Sequence, residues 1–162
     1  MANDGGTLAL HAQWMVDTLT ALTYGGKKVF KTVELWRHQI KLAGSGAESF
    51  TRYAPFAFVG YMESGAGREG GNELRQVPGY GVLIGLESRE DGVAMWGDGS
   101  YLGVSRVRDL VIAAFESKRP AFGGQATCDE FYYVGDSKAI DAPKRCALEM
   151  YFETSQMTPE AQ

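Results

Sequence analysis

The feature that most constrains the fold is a short stretch that is apolar on both of its alternating faces, residues 54–63 (APFAFVGYME). Successive side chains of an extended strand point to opposite faces of a sheet. A strand with one wet face alternates apolar and polar residues, and this stretch does not. We therefore predict a central strand covered on both sides, with Pro55 at its start, where no ladder donor is lost.

Two helices are predicted from apolar side chains that recur at helical spacing. Residues 7–24 carry a broken apolar stripe, with Thr7 as a cap and Gly25-Gly26 as the stop. Residues 103–117 carry a regular stripe, in which the charged side chains fall elsewhere, and Pro120 ends it. The second stripe predicts the clearer helix, with one face against a core.

Four more strands are predicted from β-branched and aromatic content or from period-two alternation, at 28–38, 79–88, 127–134 and 145–154. Residues 39–53 stay ambiguous, because Gly44-Ser45-Gly46 favours a loop. Helices do not alternate regularly with strands in this order. The expected fold is therefore α+β: one domain over residues 1–162, with a single, mostly antiparallel sheet of about five strands and two flanking helices.

Residues 64–77 (SGAGREGGNELRQV) are polar and rich in glycine, which predicts an exposed, projecting loop. Such a loop is either simply solvated or a contact arm, because long polar loops on small rigid domains often bind partners. The candidate assembly contacts in this loop are Gly67, Arg68, Glu69, Glu73 and Arg75. The last residues, 155–162, are predicted to form a flexible tail.

A second candidate contact is the pair Met95-Trp96, which lies between the turn signals Asp91-Gly92 and Gly97-Asp98-Gly99. An apolar pair between turns is either tucked onto the core or an anchor of an interface. The sequence leaves both interpretations open.

A literal Gly-x-Gly-x-x-Gly pattern is present at Gly65, Gly67 and Gly70. A dinucleotide site also needs a helix after the loop, whose amide N–H groups hold the pyrophosphate. The next predicted strand comes too soon for that helix. The pattern therefore favours a hairpin tip, with a small ligand-binding module or enzyme as the alternative.

No arrangement of reactive side chains points to catalysis. His11 and His38 lie on different predicted elements, without other ligands at metal-binding spacing. Asp129 and Glu130 are adjacent and would point to opposite faces of a strand. Two other acids, Asp136 and Asp141, flank a predicted turn over residues 135–142, where they would cap backbone N–H groups. We therefore predict no catalytic residues, no metal site and no cofactor.

Charge and hydropathy limit the kinds of partner that the chain is expected to bind. The formal net charge is −4, and the lysines and arginines are scattered, so a DNA-binding face is not expected and DNA would only pass by. The sequence shows neither a signal peptide nor an apolar stretch of about 20 residues. We expect no membrane partner and a cytosolic site of folding, with Cys128 and Cys146 as free buried thiols.

Between Tyr53 and Thr154 the chain resembles the tail terminator family of Mu-like contractile-tailed bacteriophages. Four segments carry this resemblance in order: PFAFVGY at 55–61, GVLIGLESRE at 81–90, YLGVSRVRDLVIAAFE at 101–116 and RCALEMYFET at 145–154. Residues 1–50 depart most from the family's layout.

The resemblance implies a non-enzymatic structural protein of the virion tail or neck, assembled in the host cytoplasm. It would form a ring, expected to be a homohexamer, that caps the head-proximal end of the tail tube and sheath. Its other partners would be the neck or connector proteins, with DNA passing through the ring. The resemblance implies no cofactor, metal or catalytic residue. Another neck or tail-completion (head–tail joining) protein is the alternative.

Overall fold

The computed structural model of the chain describes residues 6–40, 47–69, 73–120 and 128–157. The helices in these residues are α1 (Gly6–Thr20), α2 (Ala47–Tyr53), α3 (Val93–Trp96) and α4 (Val104–Phe115). The strands are β1 (Thr23–Tyr24), β2 (Lys27–Lys28), β3 (Thr32–Leu35), β4 (Phe56–Glu69), β5 (Glu73–Glu87), β6 (Tyr132–Ala142), β7 (Arg145–Glu153) and β8 (Gln156–Met157). None of the helices in these ranges is long and apolar enough to cross a membrane.

A six-stranded mixed sheet organises the domain, with the order β3-β4-β5-β7-β6 and with β8 paired to β5. Only β3 and β4 run parallel, and every other pair in this sheet is antiparallel. The predicted α+β class is confirmed, and the sheet is mostly antiparallel along its main path of five strands. The prediction missed the parallel pair, a separate two-stranded sheet of β1 and β2, and two of the four helices in the described residues.

Both faces of the sheet are covered where β4 and β5 lie side by side. On one face, α1 and α4 pack over a large apolar cluster, the first core, which includes Ala57 and Val59 of β4. On the other face, α2 covers a smaller cluster, the second core, which includes Phe56 and Phe58. All four of these β4 side chains are buried. The apolar residues on both faces of the predicted central strand thus have a core on each side, as expected from the sequence.

Several predicted boundaries near the N-terminus are wrong. The first helix ends at Thr20 rather than at residue 24, because Gly25-Gly26 forms the turn of the β1–β2 hairpin instead of a helix cap. Both glycines have positive φ angles, 60° and 79°, which suit a tight hairpin turn. The predicted strand at 28–38 is split, and only Lys27–Lys28 and Thr32–Leu35 are strand. The Gly44-Ser45-Gly46 step lies outside the described residues.

The C-terminal half also needs correction. The predicted strand at 127–134 begins at Tyr132 and continues to Ala142, so the turn predicted over 135–142 is strand instead. The pairing of β6 with β7 extends the strand through these polar residues. Within the predicted flexible tail, Gln156–Met157 pairs with β5, and residues 158–162 lie outside the described residues. The predicted strand 145–154 and helix 103–117 agree with β7 and α4 within two residues.

A close approach between Gly85 and Phe56 joins the two central strands on the second face. The two residues are opposite each other in the β4–β5 register, and a Cβ at Gly85 would lie 2.2 Å from the Phe56 ring. The ring is fully buried against Phe50 of α2. Glycine at position 85 therefore makes room for the aromatic side chain that anchors the second core.

We expect Gly85→Ala to lower the free energy of unfolding by about 1–3 kcal/mol, because the added methyl group overpacks the second core. Urea denaturation at neutral pH measures the change. Gly135→Ala is the matched control, because a Cβ at this strand position meets no atom within 4 Å. Equal stability of the two variants would contradict the close packing of Phe56 on Gly85.

Candidate assembly surfaces

The β4–β5 hairpin extends beyond β7, and the short strand β8 pairs with it at Arg75 and Gln76. These strands pair from Phe56 opposite Gly85 to Glu69 opposite Glu73. Strand β7 accompanies β5 only as far as Gly79. Six residues at about 3.4 Å each separate Gly79 from Glu73, so the hairpin continues about 20 Å past β7, with β8 beside part of it. The prediction of a loop at 64–77 is wrong, because backbone pairing continues through these polar residues up to the tip.

The predicted contact residues of this segment are strand residues near the tip of the hairpin. Gly67 pairs with Arg75 and Glu69 with Glu73, and Arg68 lies between them. A paired ribbon holds its tip at a fixed distance from the body, which an open loop does not. The segment is therefore a two-stranded hairpin with β8 beside it, and its role as a contact arm stays a prediction.

Arg75 turns back to the body of the domain. Its guanidinium donates to Ser155 Oγ at 3.0 Å and lies 3.6 Å from Asp129 Oδ2. Asp129 lies before β6 rather than within a strand, and its Oδ1 is 3.7 Å from the guanidinium of Arg119. Exposed ion pairs of this kind contribute little stability. They place the segment before β6 and the segment after β7 beside Arg75, which is two residues from the start of β5 at the hairpin tip.

Met95 and Trp96 adopt opposite orientations, which resolves the alternative left open by the sequence. Met95 packs against the first core, and the thiol of Cys146 lies 3.4 Å from its sulfur. Trp96 is 73% exposed. The methionine is therefore the core residue of the pair, and the tryptophan remains the candidate contact.

Two glycines fix the position of Trp96. Gly97 follows it with φ 75°, a conformation that side chains other than glycine's rarely adopt. A Cβ at Gly103 would lie 2.3 Å from the Gly97 backbone nitrogen. This backbone contact holds the single turn of α3 against the start of α4. The exposed indole is thus presented from a rigid site.

Trp96 and the hairpin tip lie at opposite ends of β5. Met95 contacts Cys146, which pairs with Leu86 at one end of the strand, and Glu73 begins the other end. Thirteen residues of extended strand separate Leu86 from Glu73, or about 44 Å. The domain therefore presents two chemically different surfaces at its two ends.

A pocket of about 200 Å³ lies on the second face beside α2. Its floor is a pair of glycines, Gly60 and Gly81, which are opposite each other in the β4–β5 register. The other lining residues are Trp36, Phe58, Tyr61, Met62, Leu83 and Glu149. Trp36 packs over Gly60 and Met62 over Gly81, at 3.4 and 3.0 Å from the respective Cβ positions. The pocket exists because neither glycine fills it.

The β1–β2 hairpin forms a small basic projection on the opposite face. Tyr24 is 45% exposed, and the guanidinium carbon of Arg106 lies 5.5 Å from the centre of its ring. Lys27 and Lys28 complete the projection, and both are exposed. We call Tyr24, Lys27, Lys28 and Arg106 the basic knob. Arg106 belongs to α4, a helix of the first face, so the knob and the pocket are on opposite faces of the sheet.

The sequence motifs that suggested chemistry have structural roles in the described residues. Gly65 and Gly67 lie in β4, and the element that follows is the antiparallel strand β5 rather than a helix. The pattern therefore lacks the strand–loop–helix geometry of a dinucleotide site. Both cysteines are free and buried, as predicted, and burial raises the pKa of the Cys146 thiol.

Asp136 joins β6 to α4. Its carboxylate accepts a hydrogen bond from Arg108 Nε at 2.5 Å and another from the Tyr133 hydroxyl. Partial burial opposes ionisation of this carboxyl group, but the two donors outweigh it and lower the pKa of Asp136. The backbone N–H of Tyr133 also donates a hydrogen bond to the Glu116 carboxylate at 2.6 Å. These bonds fix the edge strand to the helix.

The two histidines lie in different environments. His38 is exposed, whereas His11 is fully buried in α1, with Nδ1 2.7 Å from the Tyr80 hydroxyl oxygen. Burial lowers the pKa of His11 to about 4 and raises that of Tyr80. His11 is thus a neutral core residue that bridges α1 to the central strand β5.

The chain matches no model of a known protein family, and no curated protein is significantly similar to it in sequence. The resemblance to the tail terminator family therefore stays a prediction from the sequence.

The buried His11 predicts a loss of stability in acid. An unfolded chain binds the proton near pH 6.5, while the folded chain resists it down to about pH 4. The stabilising contribution is therefore complete above pH 6.5 and decreases as the pH falls towards 4, by about 3 kcal/mol in all. Urea denaturation between pH 7 and pH 4 measures it.

Two comparisons isolate this effect from the titration of the carboxylates. His11→Gln should flatten the pH dependence over this range, whereas the exposed His38→Asn should keep it. NMR titration of the wild-type imidazoles tests the same point without a mutation. A His11 ring that titrates near pH 6.5 in the folded protein contradicts the prediction.

Proposed function

We propose that this chain is a structural subunit of a contractile bacteriophage tail, a ring-forming tail terminator. The ring caps the head-proximal end of the tail tube and sheath and joins the tail to the neck. The expected ring is a homohexamer in the virion, assembled in the host cytoplasm, and the protein performs no catalysis. The proposal begins from the ordered resemblance between Tyr53 and Thr154.

The observation that carries the proposal is the separation of two contact surfaces along β5. The β4–β5 arm lies at one end of the strand, and the exposed Trp96 lies near the other, next to Met95, which contacts Cys146 opposite Leu86. A terminator has to bind different partners at its two ends. A rigidly held, exposed tryptophan is typical of an interface anchor, and a paired ribbon is a suitable arm for reaching a neighbouring ring.

We assign the arm to the tail tube and Trp96 to the neck. The free edge of β4 supports the first assignment, since β3 covers only Phe56–Val59 of that strand. Among the described residues, no strand pairs with the outer edge of β4 after Val59. Unpaired backbone groups on such an edge can accept a strand from another chain.

The assignment predicts two different defects in phage complementation. A gene deletion should give abnormally long tails without heads. Trimming the arm by replacing residues 64–78 with Asn-Gly keeps Glu63 beside Gly79 and should also give long tails. Trp96→Ala should instead give tails of normal length that fail to join filled heads. Electron microscopy of the particles measures tail length and head attachment.

Leu35→Ala is the control for Trp96→Ala, since Leu35 is an exposed apolar residue on the edge strand β3, opposite Val59, and lies neither in α3 nor at the hairpin tip. Both substitutions should change the free energy of unfolding by less than about 0.5 kcal/mol. Tails of normal length beside unjoined heads in the deletion strain would favour another neck or tail-completion protein. Normal infectious particles in that strain would contradict a role in the virion.

A further inference from the structure

The pocket floored by Gly60 and Gly81 has the chemistry of a receptor for a cationic side chain. Its walls are aromatic and aliphatic, with Trp36 and Tyr61 among them, and Glu149 supplies its one carboxylate. The Glu149 side chain makes no hydrogen bond or ion pair with another described residue. Within the described ranges the pocket is thus apolar with one unpaired carboxylate, and a positive charge on an apolar stem would complement it.

Lysine and arginine have this composition. Their aliphatic stems cover apolar surface while the charged head reaches a polar group. A cation over an aromatic face is further stabilised by the ring quadrupole. Two more carboxylates add negative potential beside the pocket, since Glu153 flanks Gly79 on β7 and Glu63 is opposite Gly79 on β4.

The basic knob supplies matching groups on the other side of the same chain. Lys27 and Lys28 stand on a tight hairpin, and neither side chain makes an ion pair with a described residue. Arg106 is exposed and stacked over the exposed ring of Tyr24. The knob therefore has the positive charge that the pocket lacks, and its aliphatic stems and the Tyr24 ring offer apolar surface to the pocket walls.

We infer that the pocket around Gly60, Gly81 and Glu149 binds the basic knob of a second copy of this chain. A chain cannot fill its own pocket, because the sheet lies between its knob and its pocket. Two different patches on opposite faces give a head-to-tail contact, which builds a ring when the rotation between subunits closes. The inference rests on the proposed ring and identifies the interface between its subunits.

A charge swap on the full-length chain tests this contact. Glu149→Lys and the double variant Lys27→Glu/Lys28→Glu should each raise the dissociation constant of self-association about ten-fold or more, since each places like charges together. The combined triple variant should restore association to near the wild-type value. Sedimentation velocity over a concentration series measures the dissociation constants, and added salt should weaken the wild-type contact.

Glu90→Lys is the matched control, because Glu90 is an exposed acid outside the pocket. Thermal unfolding by circular dichroism checks that every variant is folded. Unchanged association in both reversed variants overturns the inference. Loss in both without restoration in the triple variant also overturns it, because the two patches then do not contact each other directly.

A wild-type chain that stays monomeric at about 1 mM likewise overturns the interface, since even a millimolar contact is then half occupied. That result leaves the proposed function standing, because a ring could assemble on the tail through the arm alone. Abnormal tails in the deletion strain, combined with an undisturbed charge swap, would separate the two proposals in the same way.

Discussion

The burial of β4 and β5 on both faces is the constraint on which the rest of the structure depends. Phe56 and Phe58 require a cover on one side, and Ala57 and Val59 require one on the other. Each fully buried phenylalanine side chain contributes about 1.5–3 kcal/mol relative to exposure. Helices α1 and α4 must therefore lie over one face and α2 over the other. The remaining strands extend this double-sided centre.

The packing of β4 and β5 also determines which part of the second face is left uncovered. The helix α2 is short and covers only the end of the second face near Phe56. Beyond it the strands carry glycines at Gly60 and Gly81, so the sheet surface recedes into the pocket. The buried end thus gives stability, and the uncovered end leaves the pocket open at the surface.

The parts of the fold that could be predicted are those in which the pattern of apolar and polar side chains shows which faces are buried. The doubly apolar strand, the regular stripe of α4 and the alternation of Cys146 to Phe152 in β7 all keep their places. The strand pairing within 64–77 was missed because it uses backbone groups, which the side chains do not reveal. The strand over residues 135–142, where a turn was predicted, was missed for the same reason. Pairing with β7 makes this polar segment a strand.

Candidate contacts were predictable to a similar extent. Trp96 stands out in the sequence as an apolar residue between turns, and the structure separates it from Met95. The pocket was missed, because its lining residues are far apart in the sequence. They come from β4, β5, β7 and the residue after β3, and only the strand register brings them together. Its signal in the sequence was glycine within strands, which often marks close approach by another group. The Gly25-Gly26 dipeptide likewise marked the hairpin of the basic knob.

The order of the strands has a consequence for how the chain is made. The interior strand β5 needs β7 and β8 on its second edge, and these come from the last described residues, up to Met157. During synthesis, β4 and β5 can pair early, but one edge of β5 stays open until those residues leave the ribosome. Pairing between such distant segments is slow. A chain that still lacks those residues therefore exposes the unpaired edge of β5, which favours aggregation.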